Sequence, residues 1–332
     1  MEKEALYYKK LKDKAVQCHL CPHICFLKSE ERGKCRVRLN KDGKLISLSY
    51  GKPCSVALDP IEKKPFYHFL PGKKALSLGT AGCNLSCQHC QNFSISQCNP
   101  ENIQTLNLDP EEIVDNAKKN KTRIISYTYT EPTIFYEYML DIAKAAKKLR
   151  IKNTIVSNGF INEKPLKKLI PLIKGANIDL KGNSEFYKNI CGARIEPVLE
   201  TIKKLKEKVW LELTNLIISG YNDDVEEFKK TVNWIKENLG VDTPLHLSAF
   251  YPCYNLKVPA TDPAILIKLR IIAMSNGLRY VYTGNINDIE GSTTYCPKCH
   301  KALIIRSGYR VSIKNFKGGK CSCGEKIPGV WK

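Results

Sequence analysis

Between residues 75 and 284, short runs of apolar, β-branched or aromatic residues alternate with longer segments whose apolar positions recur at helical spacing. The strand candidates are 75–81, 123–129, 153–158, 176–181, 209–217, 244–250 and 279–284. Most are apolar throughout rather than alternating, the pattern of strands covered on both faces. Helices are expected over 109–121, 133–150, 163–173, 196–208, 223–239 and 262–276. The first opens on Asp109 as N-cap, with Pro110 at the first helical position and acids in the first turn. The second closes on Lys and Arg, which suits the helix dipole. This alternation predicts an α/β fold with a parallel sheet, either doubly wound or a barrel.

The flanking segments differ. "LNKDGKLISLSYGK" reads as a hairpin turning at Asp42-Gly43. Both ends are too short for independent cores without a staple. The expected organisation is an N-terminal module over 1–72, the α/β core over 73–290 and a C-terminal module over 291–332.

Composition sharpens this picture. The 332 residues, 43% hydrophobic and 26% charged, suit a soluble chain with a substantial core. No run of 18 apolar residues predicts a membrane span, and no apolar segment follows the charged start, so a cytoplasmic protein is expected. The net charge of +20 is concentrated at the ends. Residues 1–80 carry 17 Lys/Arg against 8 Asp/Glu, residues 291–332 carry 9 against 1, and the middle 27 against 24. A Lys-rich composition alone predicts matching acids throughout, so the ends are candidate contacts for an anionic partner.

Eleven of the 15 cysteines fall in three tight groups, which in an intracellular chain points to metal rather than disulfides. Cys54, Cys98, Cys191 and Cys253 stand apart and are expected as small buried hydrophobes. In "TAGCNLSCQHCQN", Cys83, Cys87 and Cys90 follow the first parallel strand at C-x3-C-x2-C. Barrel chemistry sits in the loops after strands. Three thiolates are one short of a closed site, and an open position marks a catalytic centre. A [4Fe–4S] cluster held by three cysteines has one iron without a protein ligand.

"CNLSCQHC" resembles the signature loop of radical S-adenosylmethionine (SAM) enzymes. With "CPHIC…GKCRVR", "YTYTEPTIFYEY" and "YCPKCHKALIIR", the chain is similar to the branch that includes pyruvate formate-lyase activating enzymes, and within it to the radical SAM family of the AmmeMemoRadiSam system. The resemblance implies a partial, open (β/α)6-type barrel. It also implies a [4Fe–4S] cluster on Cys83, Cys87 and Cys90, and SAM on the free iron, where an electron breaks a carbon–sulfur bond. Thr130 and Glu131 of "YTEP" stand where relatives have a Gly-Gly-Glu-Pro-like turn meeting the SAM amino group. Ser157 and Asn158 of "SNG" match the ribose-contacting position, and Asp179 and Lys181 of "DLK" match a pair that helps hold SAM. His246 is the weaker correspondence, because the activating enzymes carry a histidine further on, where Tyr251 stands. A lone histidine in an apolar strand also fits a packed core residue.

Cys296, Cys299, Cys321 and Cys323, two close pairs 21 residues apart, predict a zinc ribbon, with a second iron–sulfur cluster as the rival. Cys18, Cys21, Cys25 and Cys35 form C-x2-C-x3-C-x9-C and suit zinc or an auxiliary iron–sulfur cluster, with His19 and His23 as further candidate ligands. In "IIRSGYRVSIKNFKGGK", Arg306, Tyr309, Arg310, Lys314 and Phe316 are candidate RNA contacts. Three functions follow: a radical SAM enzyme modifying RNA, such as tRNA; an activase-like enzyme abstracting hydrogen from a protein partner; and a non-enzymatic metal protein that binds nucleic acid or senses redox state. The enzymatic readings require a one-electron donor, a ferredoxin or flavodoxin.

Overall fold

The computed structural model describes residues 2–332. All seven expected strands form one parallel set, Lys74–Thr80, Ile124–Tyr127, Lys152–Ser157, Gly175–Asp179, Trp210–Ile217, Leu245–Ala249 and Val281–Gly284. Each pairs with its sequence neighbour, so the sheet advances in one direction and has no point where strand order reverses. That order belongs to a partial barrel rather than a doubly wound sheet. The helices Pro110–Lys119, Tyr136–Lys148, Glu163–Leu169, Glu196–Lys206, Val225–Leu239 and Pro263–Ser275 fill the crossovers. Asp109 caps the first through a reciprocal bond with Glu112. Among the described residues, no helix is long and apolar enough to cross a membrane.

The boundary expected at residue 72 falls inside a hairpin. Pro53–Pro60 pairs antiparallel with Lys74–Thr80 and forms an eighth strand at the sheet edge. Its residues are mostly half-buried and bounded by Pro at both ends, so no alternation marks it as a strand in the sequence. The hairpin at Asp42-Gly43 forms as expected, joining Arg38–Lys41 to Lys44–Ser47 with positive φ at both turn residues.

Residues 61–70 lie beneath the N-terminal ends of the strands. Phe66 and Phe69 pack there with Ala75 and Ile124, and both rings approach Gly175 so closely that no Cβ fits comfortably. Glu212, fully buried, holds this segment in place. Its carboxylate accepts the backbone N–H groups of Tyr67 and His68 at 2.9 Å, the Trp210 indole N–H at 2.9 Å and the His246 Nε2–H at 2.7 Å. Burial pushes the carboxyl upward, but His246 and the other donors outweigh it, so Glu212 is held below its ordinary range.

His68 ties the same segment to the C-terminal tail. A carbonyl can only accept, so Nδ1–H donates to Pro328 O (2.7 Å) and Nε2 is left to accept from the Tyr282 hydroxyl (2.6 Å). Burial pushes the His68 pKa down to about 4, against the opposing pull of Glu212. The unfolded chain therefore takes up this proton first as pH falls below about 6.5. His68 should withdraw about 3 kcal/mol of stability between pH 6.5 and pH 4. Urea unfolding at the two ends of this window should show that loss in the native chain and a smaller one in His68→Gln. Equal losses would remove His68 as the cause.

Candidate functional site

The loops after the parallel strands converge on one cavity of about 540 Å³, which reaches from Cys83, Cys87 and Cys90 down to Glu62, Tyr67 and His246 on its floor. Gly82 makes the cysteine loop possible. Its φ is +93°, and a Cβ there would sit 2.5 Å from the Cys35 carbonyl oxygen and 2.7 Å from Val37. The loop is thus pressed directly against the N-terminal module. It is also strapped to the turn after the fourth parallel strand, where Ser86 N–H donates to Cys191 O and Gln88 N–H to Ile190 O.

Two cysteines that the sequence left isolated belong to this neighbourhood. Cys191, in a π-helical turn Tyr187–Cys191, has its sulfur within 4.8 Å of the Cys87 sulfur and of a His89 ring nitrogen. Cys253 donates to the Cys90 carbonyl at 2.9 Å. Their spacing along the chain carried no signal, because the fold alone brings them to the loop.

Thr130, Glu131, Ser157, Asn158, Asp179, Lys181 and His246 all line the cavity. Glu131 does not present a free carboxylate to an ammonium. It is 1% exposed, and its oxygens accept from Thr133 N–H (2.9 Å), Thr133 Oγ1 (2.6 Å), Ser157 Oγ (2.7 Å) and Asn158 N–H (2.8 Å). Burial still raises its pKa against those donors. The residue acts as a brace that fixes the "SNG" turn. Asn158 in turn donates to Asn84 Oδ1 (2.9 Å), beside Cys83.

The departure from a Gly-Gly turn has a local explanation. Tyr129 takes φ +65°, the conformation a glycine would supply, at a cost of about 1–3 kcal/mol. Gly79 makes the room, since a Cβ there would lie 2.6 Å from Thr128 O. The Tyr129 hydroxyl donates to Asp59, and Lys64 sits 4.3 Å from its ring centroid. Asp59 also pairs with buried Lys64 at 2.7 Å. Burial pushes the Asp59 carboxyl up, but Lys64, Tyr129 and Lys63 hold it well below the usual range.

Asp179 and Lys181 form an ion pair at 2.8 Å beneath the cysteine loop. His246 sits deeper, edge-on to Tyr67 and stacked on Tyr282, with its Nε2–H committed to Glu212. It is part of the floor network, and that places it with the packed-core alternative.

The terminal cysteine groups differ in spacing. Cys296 and Cys323 stand 3.6 Å apart, as do Cys299 and Cys321, and all four sulfurs lie within 4.8 Å of one another. A tetrahedral ion with bonds of about 2.3 Å separates its sulfurs by roughly 3.8 Å. The C-terminal four are therefore set to hold a metal ion. Cys18, Cys21, Cys25 and Cys35 line a separate small cavity with His23 and Arg38. His23 Nε2–H donates to the Asn84 carbonyl at 2.7 Å, while His19 is not among that cavity's lining.

The RNA-contact candidates divide. Arg306 is fully buried, against expectation. Its guanidinium donates to Ser292 O (3.1 Å), Thr294 Oγ1 (3.0 Å) and Tyr67 O (2.7 Å), and lies 3.9 Å over the Tyr67 ring. Alternation along Ala302–Ser307 explains it, because Arg306 shares the inward face of buried Ile304. Phe316 is half-buried with its ring edge-on to Trp331 at 4.8 Å. Tyr309, Arg310 and Lys314 are exposed, and Tyr309, at the tip of the hairpin, lines the cavity. Sequence reasoning missed Glu62, Lys64 and Tyr67, whose segment reads as an ordinary polar loop.

A family model described as the radical SAM superfamily matches residues 77–235. The chain is 46% identical over 330 residues to an uncharacterised protein of Methanocaldococcus jannaschii, covering 98% of each. It is 23% identical over 167 residues to the 4-hydroxyphenylacetate decarboxylase activating enzyme of Clostridium scatologenes, 46% of this chain and 53% of that one. It is 32% identical over 101 residues to the S-adenosyl-L-methionine-dependent tRNA 4-demethylwyosine synthase of M. jannaschii, 30% of this chain and 32% of that one. Among solved structures, Streptococcus suis SuiB bound to its precursor peptide shares the fold, with a TM-score of 0.50 and 19% identity over 68% of this chain and 51% of that one.

Proposed function

This chain belongs to the radical SAM superfamily, and we propose that it cleaves SAM reductively in order to modify RNA, with tRNA the favoured substrate. Membership makes it an enzyme and implies SAM and a [4Fe–4S] cluster, so the non-enzymatic reading falls away. The residues present fit that cluster. Cys83, Cys87 and Cys90 are three thiols lining one cavity, and the Lys181 cation beneath them balances negative charge. A bound cluster supplies the electron that breaks a carbon–sulfur bond of SAM. In this reading Thr130, Ser157, Asn158, Asp179 and Lys181 hold SAM, and Glu131 orients Ser157 and Asn158. A ferredoxin or flavodoxin supplies electrons.

The RNA substrate rests on one observation. Tyr309, 57% exposed at the tip of a basic hairpin, lines the same cavity as the three cysteines. An exposed aromatic ring lining the cavity, on a hairpin that also carries exposed Arg310 and Lys314, suits an unstacked base and its phosphates. The likeness to the tRNA 4-demethylwyosine synthase supports the same substrate class. A second reading, hydrogen abstraction from a protein partner, rests on the likeness to the decarboxylase activating enzyme.

Fluorescence anisotropy with a labelled tRNA transcript tests the RNA reading. Affinity should fall steeply with salt, and Arg310→Ala and Lys314→Ala should each reduce the slope of log affinity against log salt by about 1. Salt-indifferent binding, or none, would favour the protein partner.

The C-terminal four cysteines, in this account, hold zinc and make residues 291–332 fold as a cap. Stripping the metal with a chelator at neutral pH should release one equivalent of zinc and open this segment to proteolysis, while the parallel sheet persists. Retention of the fold without metal would remove the staple. Iron in place of zinc would show that the rival cluster occupies it.

A further inference from the structure

We propose that Glu62 reads the substrate, accepting a hydrogen bond from the amino edge of a single unstacked nucleobase inserted into the cavity; this rests on the RNA reading above. Glu62 is 4% exposed yet lines the cavity. Its Oε1 accepts the Gly72 N–H at 2.7 Å, whereas Oε2 has no partner. An unpartnered buried carboxylate oxygen is costly, and a site that leaves one is built for something that arrives later.

No cation nearby bonds the free oxygen. Lys63 and Lys64 pair with Asp59 at 3.0 and 2.7 Å, and the terminal nitrogens of Arg306 bond Ser292, Thr294 and the Tyr67 carbonyl, so that its charge acts on Glu62 while its buried Nε, like Glu62 Oε2, has no partner. Burial raises the Glu62 carboxyl, and a ligand with an N–H donor would relieve that strain on its charge.

The surroundings select a base over an amine. Tyr67, Tyr129 and Tyr309 line the same cavity, and Tyr309, the exposed one, offers ring surface to a planar group. Glu62 is tied through Gly72 to the hairpin that carries Tyr309, since a Cβ added at Gly72 would lie 3.6 Å from Val311, two residues beyond Tyr309. Residues 291–332 carry nine basic side chains against one acid, which repels a lysine- or arginine-rich segment and attracts phosphate. A carboxylate oxygen accepting from an exocyclic amino group is a common way for proteins to read a base.

Glu62→Gln gives a sharp test, because Gly72 N–H must keep an oxygen at the Oε1 position. The amide then places its NH₂ where Oε2 was, turning the free acceptor into a donor. Anaerobically reconstituted protein with S-adenosylhomocysteine bound would be titrated by calorimetry with CMP against UMP, AMP against IMP and GMP against IMP, with lysinamide as the amine probe. At least one pair should favour its amino member by roughly tenfold or more in the native chain, and Glu62→Gln should abolish or invert that preference. A matched thermal midpoint would show that the variant folds. Absence of any preference, persistence of it in Glu62→Gln, or Glu62-dependent binding of lysinamide alone would each overturn the proposal. If tRNA still binds and is modified while base preference ignores Glu62, this inference fails and the RNA reading stands. If tRNA neither binds nor reacts, the RNA reading itself has failed.

Discussion

Replacing any one of Cys83, Cys87 or Cys90 by alanine should abolish SAM cleavage and the electron paramagnetic resonance signal of a reduced cluster. Each of the three is a distinct ligand on one short loop, and C-x3-C-x2-C leaves no spare thiol within it. The loss should exceed a thousandfold, because without the electron the remaining residues only bind and orient SAM. Cys191 sharpens the test. Its sulfur lies within 4.8 Å of that of Cys87, close enough to serve as a substitute ligand. Cys87→Ala with Cys191 intact should therefore be compared with the double replacement. Cys191→Ala alone should retain the spectrum and the cleavage. Loss of both in Cys191→Ala would make it a ligand and contradict the three-cysteine assignment.

Glu137→Ala should cost about 3–5 kcal/mol. Arg38 and Glu137 are each 1% exposed and form an ion pair between the N-terminal module and the helix Tyr136–Lys148. Glu137 also accepts the Leu6 N–H at 2.7 Å, and Arg38 donates to Leu6 O at 2.8 Å and approaches the Cys18 sulfur at 3.8 Å. Removing the acid leaves a guanidinium in a dry interior beside the cysteines. Most of that penalty comes from the unpaired charge rather than from the lost pair. Arg38→Met combined with Glu137→Leu should recover much of it. Urea midpoints of the single and double variants, read with the metal content of the N-terminal module, check this. Equal losses in both would mean that the pair contributes attraction in its own right.

The parallel strands were legible because burial on both faces leaves an unbroken apolar run that a polar loop must end. The C-terminal cysteine cluster was legible because thiols that share a metal tend to lie close together along the chain. The floor was not. "IEKKPFYHFL" has no period and owes its position to Glu212, which looks in the sequence like an acid interrupting an apolar strand. Arg306 reads in the sequence as one of the basic residues of the exposed hairpin that follows it, Arg310 and Lys314, whereas its alternation with Ile304 points inward. Glu131 lines the cavity, but the bonds it makes there depend on Thr133, Ser157 and Asn158, which the fold brings around it. Sequence spacing finds residues that act through their neighbours on the chain, and misses those that act through neighbours brought by the fold.

Mass spectrometry of reduced, anaerobic protein given SAM, with and without total RNA from its host, tests the central claim most directly. The account predicts that RNA raises the yield of the adenosyl cleavage product well above background and acquires a nucleoside of new mass, with Cys87→Ala as the blank. Cleavage that is slow and indifferent to RNA, with the nucleosides unchanged, would contradict it.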